Sequence, residues 1–284
     1  MEHERAKDRI AALYALRDPK WRSIYRAGGW WLLVPVIGWP VVIGYRRMLV
    51  DHLFAPRATA LPRFRGQVGR LLLAGWGAIA VIFGHLLPVY VVLLSLLIAR
   101  GWTPNAATLW CAAGFAIWPL WSPLSLPLAV GTAVWTGWIG SAEAALFAVA
   151  FSGLVFVVPS GLLEVSRTGN YLSAARVDRS IARIARAPRA YVRAWAFGLV
   201  GQTLVPFTLF LWPWALFHAY VATVVRFNQL LIDQGEAPGL GLLALAAESG
   251  TPPGSPQLDG AGRPVTVLTF GPFALPVPWF GAAR

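Results

Sequence analysis

Charged, basic segments alternate along the chain with long apolar segments, and this alternation predicts its elements. Residues 71–99 carry no Asp, Glu, Lys or Arg, and the stretch is longer than the roughly 20 residues that a bilayer core requires. Residues 142–163 predict a second span that returns to the basic side. Three prolines divide residues 105–139 into halves that are short for a span. These halves predict either two short spans or a hairpin.

Two segments on either side of this apolar region share an order of features. In residues 5–50 and in residues 175–225, a basic amphipathic helix precedes a proline and an apolar segment that proline and glycine interrupt. The matched positions are Asp8-Arg9 with Asp178-Arg179, Gly28 with Gly198, Trp39-Pro40 with Trp212-Pro213, and Tyr45 with Tyr220. The correspondence predicts a duplicated unit.

The apolar part of the first unit, residues 27–45, is short and is flanked by basic residues on both sides. A full crossing would place these two basic flanks on opposite faces of the membrane, against the positive-inside rule. A re-entrant hairpin keeps both flanks and the N-terminus on the cytoplasmic face, with the freed backbone groups covered by protein. The same question stays open for residues 194–225, where the answer decides the side of the C-terminus.

Composition supports a membrane location. Hydrophobic residues make up 57% of the 284 positions and charged residues only 13%, whereas soluble domains carry about 25% charged residues. The net charge of +12 comes mostly from basic residues that flank the apolar segments. This placement indicates anionic lipid head groups rather than nucleic acid as the partner. No cleavable signal peptide is visible, and we expect a multi-pass protein of the bacterial inner membrane.

Residues 171–187 predict a second interfacial helix. At helical spacing, Val177, Ile181 and Ile184 fall on one face. Four arginines fall on another face, and we expect them to bind lipid head groups: Arg176, Arg179, Arg183 and Arg186.

Two histidines lie within apolar segments, His85 in the first span and His218 in the second unit. A neutral imidazole there is a candidate ligand for the magnesium of a chlorophyll-type pigment or the iron of a haem. The alternative is a hydrogen bond between helices. Glu143 and Glu164 begin and end an apolar stretch, and we expect both at solvated helix ends. No catalytic triad, phosphate loop, metal motif or cysteine pair is present in the sequence, so we expect no enzyme.

The C-terminal residues 233–284 are rich in proline and glycine. This composition predicts a flexible arm with apolar residues that dock on another subunit. The candidates for docking are Phe270, Phe273, Trp279 and Phe280.

The order of a basic helix, LLVPVIGWPVVIGY, spans, and then NYLSAAR with PRAYVRAW resembles an uncharacterised prokaryotic membrane family. That family is the domain-of-unknown-function family 4013, and the resemblance covers roughly residues 5–232. It implies no activity, and no site residues follow from it.

The sequence therefore predicts an all-α, polytopic helical membrane protein. Its membrane domain is residues 1–232, with pseudo-repeats at about 5–50 and 175–225 around central spans in 71–163. We expect a non-catalytic accessory subunit that packs against other integral membrane subunits, with a photosynthetic or respiratory complex as host. The alternative is a transporter of a small solute or lipid that uses the broken helices.

Overall fold

The structure, a computed structural model, describes residues 2–34, 37–54, 61–101, 134, 137, 139–237, 267–270 and 273–276. Helices dominate this part of the chain. They are α1 Glu2–Leu13, α2 Trp21–Leu32, α3 Gly38–Phe54, α4 Val68–Ala99, α5 Ser141–Thr168, α6 Tyr171–Ala174, α7 Val177–Arg186, α8 Pro188–Leu204 and α9 Trp212–Asp233. Two 3₁₀ helices, Tyr14–Arg17 and Val205–Leu211, lie between them.

Among the described residues, three helices are long and apolar enough to cross a membrane, and the corresponding segments are Val68–Leu93, Ser141–Val165 and Trp212–Asp233. The prediction of a polytopic helical membrane fold is therefore confirmed. The first two segments belong to α4 and α5, which pack against each other. A salt bridge between Arg100 and Glu143 joins the end of α4 to the start of α5, so the two helices run antiparallel.

Helix α9 lies at the centre of a second group of helices, where α1, α2, α3 and α8 pack around it. Two adjacent glycines let α2 approach it closely. A Cβ atom on Gly28 would lie 2.6 Å from the ring of Phe217, and one on Gly29 would lie 2.3 Å from the ring of Trp214. The largest apolar core of the described residues forms around these contacts.

Residues 27–45 lie partly in α2 and partly in α3, and the hairpin interpretation of this segment stays a prediction. Helix α2 has 12 residues and is therefore about 18 Å long, well short of the roughly 30 Å of a bilayer core. Helix α3 begins a few residues later and packs against α2. In the second unit, α8 and α9 pack against each other across the 3₁₀ helix Val205–Leu211.

The two matched units have the same order of α-helices, although the first has its 3₁₀ helix between α1 and α2. In the first, α1 and α2 are followed by a break and then by α3, and in the second α7 and α8 are followed by the 3₁₀ helix and then by α9. The matched Trp-Pro pairs lie at the start of α3 and of α9. Proline is tolerated at this position because the first amide groups of a helix lack intrahelical acceptors.

The C-terminal region contains a β-hairpin that the sequence analysis did not predict. Strand β1, Val267–Phe270, pairs antiparallel with strand β2, Phe273–Pro276, so that Phe270 is opposite Phe273. Strand β2 lies against α1. This part of the predicted flexible arm is therefore ordered against the N-terminal helix. Trp279, Phe280 and nearly all of residues 105–139 lie outside the described residues.

Candidate functional site

Buried polar side chains concentrate where α4, α5, α7 and α8 meet, and we call this group the polar cluster. Its members are His85, Ser160, Glu164, Ser180, Arg183 and Tyr191. Ionisable groups inside a membrane protein are expensive to bury, so they are functional candidates by default.

A buried ion pair holds α7 to α5. The Nη2 atom of Arg183 donates to Oε2 of Glu164 at 2.5 Å and to Oε2 of Glu236 at 3.2 Å, while its Nη1 atom donates to the carbonyl of Ser160 at 3.1 Å. Arg186 donates to the other oxygen of Glu236 at 2.5 Å. Because every charge in this group faces an opposite one, the group tolerates its low-dielectric surroundings.

This ion pair corrects two expectations. Glu164 is buried with Arg183 rather than solvated at a helix end, whereas Glu143 is partly exposed and accepts from the Gly140 amide at 3.0 Å. Arg183 was expected at lipid head groups together with three other arginines, and this expectation is wrong because Arg183 is buried inside the protein.

The other three arginines of that face remain exposed. Arg176 pairs with Asp178 at 2.8 Å, Arg179 lies on the surface, and Arg186 reaches Glu236. Ile181 is 53% exposed, so α7 presents both basic and apolar surface to its surroundings. Such a surface suits a helix that lies at a membrane interface.

His85 is fully buried in the polar cluster. Its Nδ1 atom lies 2.9 Å from the carbonyl of Val81, one turn earlier in α4, and its Nε2 atom lies 3.5 Å from Oγ of Ser180. A carbonyl only accepts, so Nδ1 carries the proton and Nε2 is the acceptor in the neutral ring. A Cβ atom on Gly161 would lie 2.6 Å from this ring, and glycine therefore makes the room that the imidazole occupies.

Tyr191 bridges two backbone groups of α5. Its hydroxyl donates to the carbonyl of Phe156 at 2.7 Å and accepts from the amide of Ser160 at 3.2 Å. An uninterrupted helix would join these two backbone groups directly. Pro159 lies beside this point, and the hydroxyl therefore satisfies backbone groups where the helix is disturbed. Burial raises the pKa of Tyr191, so the phenol keeps its proton.

Arg46 of α3 is a buried cation in the basic flank that follows residues 27–45, which the hairpin interpretation places on the cytoplasmic face. It is 7% exposed, and its Nε and Nη2 atoms have no hydrogen-bond partner among the described residues. Burial lowers the pKa of Arg46, while the hydroxyl groups of Tyr220 and Tyr191 act in the opposite direction. The next residue, Arg47, donates to the carbonyl of Val165 at 2.8 Å and ties α3 to α5.

A second group of charges fixes α1 to α9. Arg226 is completely buried, and its Nε and Nη2 atoms donate to Asp8 and Glu4, each at 2.6 Å. Lys7 lies 2.8 Å from Asp233 and 3.1 Å from Glu4. Burial opposes the charge of Glu4, but its hydrogen bond with Lys7 and the charge of Arg226 lower its pKa overall. The pKa of Lys7 is raised against burial by Asp233 and Glu4.

His218 lies in the core around α9 and not in the polar cluster. Its Nδ1 atom is 2.8 Å from the hydroxyl of Tyr25, and the ring is fully buried. His85 and His218 thus each have a hydrogen-bond partner inside the protein, and ligation of pigment or haem stays a prediction. Among the described residues, no group of three or more His, Cys, Asp or Glu side chains is placed to hold a metal ion.

Burial of Arg46, Glu164 and Arg183 was not predicted from the sequence. Arg46 and Glu164 stand at the ends of apolar segments, and Arg183 lies on the basic face of an amphipathic helix. In both positions a charge normally faces water. One local signal for this burial was available. Ser180 and Arg183 are three residues apart, so they lie on the same face of α7. The partners themselves are remote in sequence.

No curated protein and no solved structure matches the chain. The model of one family, described as "Protein of unknown function (DUF4013)", matches residues 27–214. The matched segment runs from within α2 to the start of α9, and it includes the polar cluster and Arg46 but not Arg226. As the match covers more than half of the chain, the protein belongs to the DUF4013 family of proteins of unknown function.

Proposed function

We propose that this protein is a non-catalytic accessory subunit that packs against other integral membrane proteins in a larger assembly. The observation that carries the proposal is a contrast between interior and surface. The interior charges of Glu164 and Arg183, and of Arg226 with Glu4 and Asp8, are paired with one another. These groups act in structure by joining α7 to α5 and α1 to α9. The surface of α4 and α5, by contrast, is apolar and uncovered.

The uncovered surface is extensive on both helices. Of the 18 residues in the apolar part of α4, only 33% are buried inside the protein, and the corresponding share for α5 is 39%. Large exposed side chains on this surface are Leu73, Trp76, Leu87, Val91, Val92, Ile98, Leu146 and Val149. Lipid tails suit such a surface, and so do the helices of a neighbouring subunit.

One face of α5 favours close approach of another helix. Ala145, Val149 and Ser152 are exposed at helical spacing, and a Cβ atom on Gly153 would meet nothing within 4 Å. Small residues let helix backbones approach in a membrane, where dispersion and weak hydrogen bonds drive association. This face is therefore the proposed contact with a companion subunit.

Anionic lipid is the second proposed partner. Arg179, Arg189 and Arg193 are exposed and lie close in sequence to the exposed Arg186. Basic residues near a membrane surface are attracted to anionic head groups and mark the cytoplasmic side. The proposed location is accordingly the bacterial cytoplasmic membrane, with these arginines and the N-terminus on the cytoplasmic face.

The test is purification from native membranes in a mild detergent, followed by identification of companions. We expect companion subunits in fixed stoichiometry, and an absorption spectrum of that complex decides whether the host carries pigment or haem. Gly153→Trp should release the companions while the helical content stays unchanged. Leu172→Trp is the matched control, because Leu172 is 85% exposed on α6 and lies outside the proposed contact.

A protein that purifies alone and without companions would overturn the subunit proposal. The alternative, a solute transporter, would then be tested by solute binding to the isolated protein. Transporters of this type place polar groups at broken helices. Among the described residues, the exposed side chains at the two breaks are apolar, and they are Leu33, Val34, Ile37 and Phe207.

A further inference from the structure

The breaks of the two matched units lie side by side at one end of α9. Trp30 of α2 packs edge-to-face on Trp214 near the start of α9, with 6.0 Å between the ring centroids. Earlier in α2, Tyr25 contacts His218, which lies later in α9, so the two helices run antiparallel. The 3₁₀ helix Val205–Leu211 leads directly into α9, and the end of α2 therefore meets the break of the second unit.

Large apolar side chains are exposed at this end of α9, which we call the apolar tip. Among the described residues, its members are Trp30, Leu33, Val34, Ile37 and Phe207. Phe207 is 73% exposed and Trp30 is 59% exposed. Residues 27–45 and 194–225 contain no Asp, Glu, Lys or Arg, so neither unit brings a formal charge to the tip.

The opposite end of α9 is charged. Arg226 is paired there with Glu4 and Asp8 of α1. From Trp212 to Arg226 the helical rise is about 21 Å, which is less than the roughly 30 Å of a bilayer core. The helices around α9 therefore form a body with one apolar end and one charged end, and the distance between them is shorter than a membrane crossing.

Charges on the other helices limit the depth of the tip in the same way. The exposed Arg26 lies about 9 Å before the end of α2, and the exposed Arg193 lies about 17 Å before the end of α8. Arg47, which pairs with Asp51, lies about 14 Å after the start of α3. A charge is costly in hydrocarbon and a long basic side chain stays at the interface. Each helix that leads to the tip therefore meets the head groups before its apolar part is long enough to cross.

Hydrogen bonds cover backbone groups at both breaks, as contact with hydrocarbon requires. The amide of Gly38 donates to the carbonyl of Val34 at 2.9 Å, and the indole of Trp39 donates to the carbonyl of Leu32 at 3.3 Å. In the second unit, the hydroxyl of Thr208 donates to a carbonyl of the 3₁₀ helix at 2.6 Å. These bonds suit an end that leaves water.

We propose that the apolar tip inserts into the acyl chains of the leaflet on the N-terminal side and ends inside the bilayer. Lipid is the favoured occupant because exposed basic side chains surround the base of the tip, where anionic head groups lie. They are Lys20, Arg26 and Arg193. By this inference α9 returns without crossing, although its length and composition permit a span. The C-terminal tail then leaves the membrane on the same face as the N-terminus, and α4 and α5 are the pair that crosses.

The first experiment maps the sides of the membrane with single cysteines in the full chain. Cys111, the one cysteine of the sequence, is replaced by serine, and single cysteines are introduced as Ile37→Cys, Phe207→Cys, Lys20→Cys or Ser255→Cys. A membrane-impermeant maleimide is applied to spheroplasts and to inverted membrane vesicles. We expect Lys20→Cys and the tail variant Ser255→Cys to react only in inverted vesicles. Both tip variants should react in neither preparation until detergent is added.

The second experiment identifies what surrounds the tip. The purified variants carry a nitroxide label in vesicles of phosphatidylglycerol and phosphatidylcholine, and collisions with oxygen are compared with collisions with a water-soluble nickel complex. Labels at Ile37 and Phe207 should collide mainly with oxygen, which concentrates in hydrocarbon. Val91→Cys on the apolar surface of α4 is the matched reference for lipid contact, since Val91 is 52% exposed. The label at Lys20 should collide mainly with the nickel complex.

Three results would overturn the proposal. Reaction of a tip variant or of Ser255→Cys in spheroplasts means that the second group of helices crosses, and reaction of a tip variant in inverted vesicles means that the tip stays in water. Few collisions with either reagent mean that protein, such as a second copy of the chain, covers the tip. Ile37 and Phe207 are exposed, so we expect both variants to fold. The purified protein is measured without companions, and the outcome is therefore separate from the proposed function.

Discussion

The three helices that are long enough to cross a membrane have very different surroundings. In the apolar 18-residue stretch of each helix, 83% of the stretch is buried inside the protein for α9, compared with 33% for α4 and 39% for α5. Helix α9 is also the least apolar of the three and carries the buried polar residues His218, Arg226, Asn228 and Gln229. Length and apolarity therefore identify candidates for a span, while the neighbouring helices decide what each candidate contacts.

The physical reason lies in what each helix offers to its neighbours. On α9, His218 and Arg226 have partners on other helices, which are Tyr25 of α2 and Glu4 and Asp8 of α1. On α4 and α5, exposed positions between the Arg100–Glu143 pair and the Glu164–Arg183 pair are apolar or small. From Glu143 to Glu164 the helical rise is about 31 Å, close to the roughly 30 Å thickness of a bilayer core.

The largest effect is expected for Arg226→Ala, because it leaves Glu4 and Asp8 without their buried partner. Removing one member of a buried ion group typically costs about 3–5 kcal/mol, and we expect about 3 kcal/mol here since both carboxylates are partly exposed. Denaturant unfolding in detergent measures the loss. Arg100→Ala, at the exposed pair with Glu143, should cost far less, because solvent screens an exposed ion pair. Equal costs would show that α9 is not more enclosed than α4.

The next largest difference between the surroundings of α9 and those of α5 is expected from substitution of a glycine. Gly29→Ala places a methyl group 2.3 Å from the ring of Trp214, and overpacking of this kind costs about 1–3 kcal/mol. Gly153→Ala is the matched change on α5, where a Cβ atom meets nothing within 4 Å. We expect this second change to be neutral or slightly stabilising. Unfolding of both variants under identical conditions provides the comparison, and the reverse order would contradict the packing of α2 on α9.

Acidification should weaken the attachment of α1 to α9, with a smaller effect than the substitutions above. The pKa of Glu4 is lowered in the folded protein from its ordinary value of 4.5, so the unfolded state binds the proton more readily. The stabilisation from Glu4 is therefore present above about pH 4.5 and is lost as the pH falls through the lowered pKa. Hydrogen exchange of the α1 amides as a function of pH measures this loss. Glu4→Gln should reduce the acid dependence, and an unchanged profile would rule out this contribution.

The smallest effect is expected for Val149→Ala on the uncovered face of α5. Val149 is 72% exposed, whereas Val225 of α9 is 1% exposed. Truncation at Val149 should change the free energy of unfolding by less than about 0.5 kcal/mol, while Val225→Ala should cost about 2 kcal/mol because it leaves a cavity. Unfolding measured without companion subunits gives both values. A large cost at Val149 would mean that this face packs inside the protein.

Local pattern was sufficient to predict much of the fold. The uncharged run after Arg70 predicted α4, and the apolar run before Arg167 predicted α5. Trp39-Pro40 and Trp212-Pro213, which were matched as part of a duplicated unit, lie at the starts of α3 and α9, although no helix start was predicted there. These features depend on neighbouring residues alone, so a single sequence carries them.

The site depended on contacts that local pattern does not contain. Arg183 pairs with Glu164 and Glu236, which lie 19 and 53 residues away, and no periodicity connects such positions. A charge at the end of an apolar run has the same local appearance whether it faces water or a partner. The hairpin of β1 and β2 was missed for a related reason, since the proline- and glycine-rich composition around it is typical of an unstructured arm.

The salt bridge between Arg100 and Glu143 has a consequence for how such a chain can diversify. It fastens the two long helices to each other at the end where the intervening segment leaves and re-enters. With both ends of that segment fixed, a change in its length costs little, because closure entropy rises only slowly with loop length. A change in the length of this segment is therefore expected to leave the packing of α4 on α5 intact.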